Sequence, residues 1–315
     1  MFRLKLVPEK TDIPFMKFRL PAIVLSAVLA VVSLGLFFGV GLNKGIDFEG
    51  GILIEVRTEA PADLAQMRDT LGGLGLGEVA LQEFGAANDV LMRIERQPGD
   101  AEAQNAAVEK VKAAMEPTNP GISYRRVEFV GPKVSGELVE TAVLAVLTAV
   151  VAMLFYIWLR FEWQFSLGAV LALVHDVILT IGFFALTRVE FNLASVAAIL
   201  TIVGYSINDT VVVYDRVREN LRKYKQMPLG QLLSLSINDT LSRTVMTSFT
   251  TLLALGALFF FGGEVIRGFS SALIWGVVIG TYSSIFIAAP LLLMLGLQRS
   301  QRDEESDDEE VPEAT

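Results

Sequence analysis

Cysteine is absent from all 315 residues, and histidine occurs once, as His175. The first absence excludes a disulfide, a thiol nucleophile and an iron–sulfur ligand. The second leaves no donor set for a structural zinc, so neither a metal nor a cofactor is expected. The sequence also lacks a G-x-x-x-x-G-K-[ST] run, which excludes nucleotide hydrolysis on a phosphate loop of that kind. No enzymatic activity is expected. Positive charge is in deficit, with a formal net charge of -9, but the deficit is local. Residues 299–315 hold eight acids and two bases, which is -6 of the -9. The rest is nearly balanced, and no nucleic-acid partner is expected.

Apolar residues are in excess: 52% of the chain is hydrophobic and the mean hydropathy is +0.51. They fall in long blocks. A bilayer core of about 30 Å takes about 20 apolar helical residues to cross. Six blocks meet that length: Pro21–Leu42, Glu137–Trp158, Phe165–Thr187, Phe191–Tyr214, Arg243–Gly262 and Phe269–Leu297. The first is too long for the apolar region of a signal peptide and follows a polar arm. The last is overlong and is expected to tilt, or to kink near Pro290.

Basic residues orient the spans. Thirteen lie in the arm, after spans two, four and six, against Arg188 and Arg267 in the opposite short loops. Both termini are therefore expected in the cytoplasm. The hydrophilic piece between spans one and two is then outside. Gly51–Thr58 alternates like a strand, Ala62–Leu71 looks helical after Pro61, and Val79–Phe84 and Val90–Glu95 read as strands around a turn-rich Gly85–Asp89. Asp100–Met115 is an Ala-rich helix and Tyr124–Val130 a last strand. The β-α-β-β-α-β order predicts a ferredoxin-like layer of two helices on four strands.

The expected fold is thus a polytopic α-helical membrane protein with six transmembrane helices and a small α+β ferredoxin-like periplasmic domain between helices 1 and 2. The expected layout is a cytoplasmic N-terminal arm (1–20), transmembrane helix 1 (21–42), the periplasmic domain (43–136), helices 2–6 (137–297) and a disordered acidic cytoplasmic tail (298–315). At about 216–240 lies a cytoplasmic amphipathic connector, read either as an interfacial helix or as a solvated link plus the start of span five.

A charge inside the bilayer costs at least ~2.5–3.5 kcal/mol, so each one is a functional candidate. Asp209 lies in span four, beside Asn208 and one turn after Gly204. Arg243 stands at the cytoplasmic end of span five, so the two fall in one leaflet. They are read either as a static ion pair or as a carboxyl group that exchanges a proton under the control of a permanently charged arginine. His175 and Asp176 lie near the middle of span three. A proton relay and a structural hydrogen-bonded pair both fit them, with Asp176 the stronger functional candidate. Ser-Ile-Asn-Asp-Thr occurs twice, at 206–210 and 236–240, with no evident reason. Gly276 and Gly280 mark a face for close helix packing.

The chain resembles the SecF family, the smaller membrane subunit of the bacterial SecDF protein-export accessory in the resistance–nodulation–division superfamily. The resemblance rests on Gly45-Ile46-Asp47-Phe48-Glu49-Gly50-Gly51, Val130-Gly131-Pro132, His175-Asp176-Val177, the run from Gly204 to Arg216, and Ser242-Arg243-Thr244. It implies half of a twelve-helix unit completed by SecD, location in the inner membrane, and work beside the SecYEG translocon on preprotein substrates. It also implies that Asp209 and Arg243 are the proton-coupling pair. Rival readings are a half-unit of a small-molecule exporter and a scaffold subunit without coupling. An intramembrane aspartyl protease is disfavoured, since Tyr214-Asp215 has no Gly-x-Gly-Asp to complete it.

Overall fold

The computed structural model describes residues 8, 11–99 and 101–297. The acidic tail and the basic residues Arg3, Lys5 and Lys10 lie outside the described residues. A 3-10 turn (Phe15–Phe18) leads into α1 (Arg19–Gly39), followed by the four-residue α2 (Ile46–Glu49). Then come β1 (Gly51–Arg57), α3 (Leu64–Gly72), β2 (Val79–Phe84), β3 (Ala86–Ile94), α4 (Ala101–Met115) and β4 (Ser123–Val130).

The four strands form one antiparallel sheet in the order β2-β3-β1-β4. Because strand side chains alternate, Ile52, Ile54 and Val56 of β1 share a face with Val90, Met92 and Ile94 of β3. That face is closed by Met67 and Leu71 of α3 and by Val111 and Met115 of α4, all fully buried. Two boundaries differ from expectation. Helix α3 begins at Leu64, not after Pro61, because the Asp63 carboxylate accepts the N–H groups of Ala65 and Gln66 at 3.0 Å. The expected turn at Gly85–Asp89 shrinks to Gly85, whose φ of 91° reverses the chain in one residue and lets β3 start at Ala86. Asp89 thereby pairs across the sheet with Arg57. The Arg57 guanidinium, hydrogen-bonded to it, holds the Asp89 carboxyl below the usual carboxylate range.

The remaining helices are α5 (Pro132–Arg160), α6 (Trp163–Thr187), α7 (Leu193–Lys223), α8 (Leu229–Phe261), α9 (Glu264–Ser283), a π turn (Ser284–Ala288) and α10 (Ala289–Met294). With α1, and with α9 to α10 counted as one span, six helical stretches among the described residues are long and apolar enough to cross a membrane. Helices α6, α7 and α9 form the buried centre, whereas α1 and α5 expose most of their apolar surface. Gly280 fits against Ser206, with room for a Cβ only 3.0 Å from that side chain. The expected kink near Pro290 takes the form of the π turn ahead of it. A proline lacks the N–H donor and crowds the preceding turn, and a widened turn accommodates both.

The connector expected at about 216–240 is not a separate surface helix. Residues up to Lys223 finish α7, and Leu229 already starts α8. Leu232, Leu233 and Ile237 are buried in the bundle core with Phe15 and Met16, which removes the apolar face an interfacial helix would need.

Candidate functional site

Asp176 sits mid-way along α6 and is 1% exposed. Its Oδ2 accepts the hydroxyls of Ser206 on α7 at 2.6 Å and Ser283 on α9 at 2.7 Å. Its Oδ1 lies 2.9 Å from His175 Nδ1. Three helices thus converge on one carboxyl group. The i, i+1 pair of His175 and Asp176 meets through side chains that lean toward each other across the helix surface. His175 keeps Nε2 buried with no hydrogen-bond partner among the described residues, and its ring lies 6.5 Å from that of Tyr282. Tyr282 in turn bonds Ser26 at 2.9 Å and donates to the Ala22 carbonyl at 3.0 Å, which ties α1 to the cluster.

Asp209 lies three residues beyond Ser206, on the same face of α7. It is 3% exposed, and its Oδ2 is buried without a hydrogen-bond partner among the described residues. The two buried carboxyl groups therefore contrast: Asp176 is held by partners on every side, and Asp209 is not. The static Asp209–Arg243 ion pair considered from the sequence is not made. Arg243 is exposed on α8, because Thr240, Thr244 and Ser248 occupy the buried stripe of that helix and position 243 falls beside it. It remains within electrostatic reach of Asp209. Asn208 is exposed and takes no part in the cluster.

Ser283 was not singled out by sequence reasoning. The available signal was a pair of adjacent hydroxyls, Ser283-Ser284, three residues after Gly280 in an otherwise apolar span. A second polar link lies beside it, where Tyr205 donates to Ser248 at 3.2 Å and Ser248 meets Thr281 at 2.7 Å, joining α7, α8 and α9.

The repeated pentapeptide also finds a role. In both copies the threonine hydroxyl bonds the serine carbonyl one turn earlier, which keeps it satisfied inside a helix. The first copy faces Asp176. The second is a junction: Ser236 accepts from Asn220 at 3.0 Å, Asp239 pairs with Arg216 at 2.8 Å, and Asn238 exchanges hydrogen bonds with the main chain of Ile13.

Among the described residues, a bundle of six membrane-length helices, with a buried carboxyl cluster at its centre and a four-stranded sheet domain, defines a multi-pass membrane protein. Residues 110–298 match the model of the family described as protein export membrane protein SecD/SecF, C-terminal, and residues 35–62 match the SecD/SecF GG motif. The chain belongs to the SecF family of protein translocase subunits. It is 49% identical over 319 residues to the protein translocase subunit SecF of Rhodobacter capsulatus, covering 98% of this chain and 96% of that one. With the SecF of Rickettsia akari it shares 48% over 300 residues, 93% of this chain and 95% of the other. The crystal structure of SecDF from Thermus, described as a translocon-associated membrane protein, superposes with a TM-score of 0.84 at 35% identity. The match covers 94% of this chain but only 40% of that longer one.

Proposed function

We propose that this chain, joined to a SecD-type partner, uses the proton gradient across the bacterial inner membrane to promote late steps of preprotein passage through the SecYEG translocon. The sheet domain, read as ferredoxin-like, faces the periplasm, and both termini lie in the cytoplasm. The observation that carries the reading is Asp209, a carboxyl buried in a membrane helix with an unpartnered oxygen, one turn from the Ser206–Asp176–Ser283 cluster. An intramembrane carboxyl group is costly to keep and marks an ion pathway.

In the proposed cycle Arg243 is the switch. When α7 and α8 shift so that the guanidinium approaches, the ionised form of Asp209 is favoured; when it withdraws, the protonated form is favoured. Arginine keeps its charge throughout, so the proton moves on the aspartate alone. The hydroxyls of Ser206 and Ser283 keep Asp176 fixed while its neighbour exchanges. The glycine contacts between α7 and α9 leave little side-chain bulk to obstruct such a shift.

The test is gradient-dependent completion of preprotein export in cells carrying Asp209→Asn with the matching SecD partner. Export is expected to fall to the level seen without a gradient, while the protein still inserts and assembles at normal amounts. Unchanged export would reduce this chain to a scaffold and move the coupling elsewhere in the complex.

A further inference from the structure

The first turn of α7 is held from outside its own helix. Asp47 Oδ2, on α2, accepts the main-chain N–H of Leu193 at 2.9 Å. Asn192 takes the N–H of Ser195 at 3.1 Å, so two of the unpaired donors at this helix end are satisfied, one of them from a different element. A carboxylate there also meets the positive end of the helix dipole.

Further links surround that bond. Gly45 donates to the Phe191 carbonyl and Phe191 donates to the Asn43 carbonyl, both at 2.8 Å, making a short parallel bridge. Gly45 sits so close to the chain before α7 that a Cβ would lie 3.3 Å from that of Asn192. Phe48 stacks on Phe191 with ring centroids 5.5 Å apart. From the sheet itself, Arg93 of β3 pairs with Glu190 at 2.9 Å, and both side chains are mostly buried. The segment then turns into the central strand through Gly50 and Gly51, at φ 75° and 117°. At Gly51 a Cβ would stand 2.7 Å from the Ile94 carbonyl oxygen, so only glycine passes. The helix that carries Ser206 and Asp209 is therefore bonded, at its other end, to the middle of the sheet.

We propose that Gly45–Gly51 is a clamp that makes the sheet domain and α7 move as one body, with Asp47 as the positioning residue that transmits displacement of α7 to the sheet. This rests on the proton-coupling reading above. Three independent contacts, a main-chain bridge, a carboxylate cap and a mostly buried ion pair, act on Phe191, Leu193 and Glu190 at the start of α7. Such a junction resists both shear and twist.

The test uses the full chain assembled with its SecD-type partner in vesicles. The natural absence of cysteine allows Gln82→Cys, on the sheet face opposite α3 and α4 and beside the membrane-length helices, to carry an environment-sensitive maleimide dye. The parent is expected to change fluorescence when a proton gradient is imposed, and Asp47→Ala to lose roughly fivefold or more of that change, the lower range of inter-site coupling. In a separate unlabelled variant, Lys44→Cys with Phe191→Cys closes the bridge by a disulfide. Added to Asp47→Ala, it is expected to restore export on oxidation and to lose it again on reduction. A full fluorescence response in Asp47→Ala would overturn the clamp and leave the proton reading standing. Loss of export in the oxidised pair without Asp47→Ala would also overturn it, since the segment would then have to open in each cycle. A parent that ignores the gradient would sink both.

Discussion

The polar side chains of the bundle were legible as individuals before they were legible as a site. Asp176 and Asp209 stand out in any reading, since a carboxyl group inside an apolar span has no bland explanation at its insertion cost. Their unequal surroundings could not be read, because Ser206 and Ser283 reach Asp176 from helices 30 and 107 residues away. The placement of Arg243 was also hidden: one residue along a helix is about 100° of rotation, enough to move a side chain from the buried stripe to the exposed one. At this scale Ser283→Ala is expected to lower the stability of the solubilised protein by about 1–3 kcal/mol, the range for a hydrogen bond to a buried or charged group. A fall in melting temperature in detergent would register it. An unchanged melting temperature would mean that the hydroxyl does not hold Asp176.

At the scale of elements, the sequence periodicities located the strands and helices of the sheet domain in order, and the ends moved for local reasons. Asp63 and Gly85 each redrew a boundary through one side chain or one backbone angle. The long apolar blocks marked the membrane helices, but polarity alone cut α7 and α8 short, because the turns at their facing ends are polar and still helical. The Arg57–Asp89 cross-strand pair gives the sheet a pH dependence. Since the folded state holds the Asp89 carboxyl below its ordinary value, the contribution is complete above about pH 4, the unfolded value. It is lost as the pH falls through the lower folded value. The protection factors of β1 and β3 amides in the full chain, which are exchange rates corrected for their intrinsic pH dependence, should therefore fall on acidification below about pH 4. The Asp89→Asn variant should show less of that fall, and identical profiles would refute the assignment.

For the whole molecule, the proposed orientation rests on basic residues counted in the sequence, and it can be tested directly. A single cysteine at Arg125, on the exposed edge strand β4, is expected to react with a membrane-impermeant maleimide added outside spheroplasts. One at Lys225, in the turn between α7 and α8, is expected to react only after the membrane is opened. The reverse pattern would invert the topology and with it the direction of the proposed proton flow. What joins the two parts of the molecule was not readable beforehand. The motif Gly45–Gly51 was visible as a string of unusual residues, but its contacts fall on Glu190 to Leu193, about 145 positions away.

The length of α7 has a mechanical consequence. Its 31 residues span about 46 Å, half again the apolar thickness of a bilayer, in one uninterrupted helix. Ser206 lies 13 residues from its first turn, about 20 Å from the end that Asp47 holds. If α7 pivots where it crosses α9, at Gly280 and Ser206, that distance is a lever arm. A tilt of about 10°, within the range that membrane helices adopt, would then carry the outer end through about 3.5 Å. A change of one side-chain contact at the fulcrum would thus be magnified at the sheet domain without any helix having to unwind.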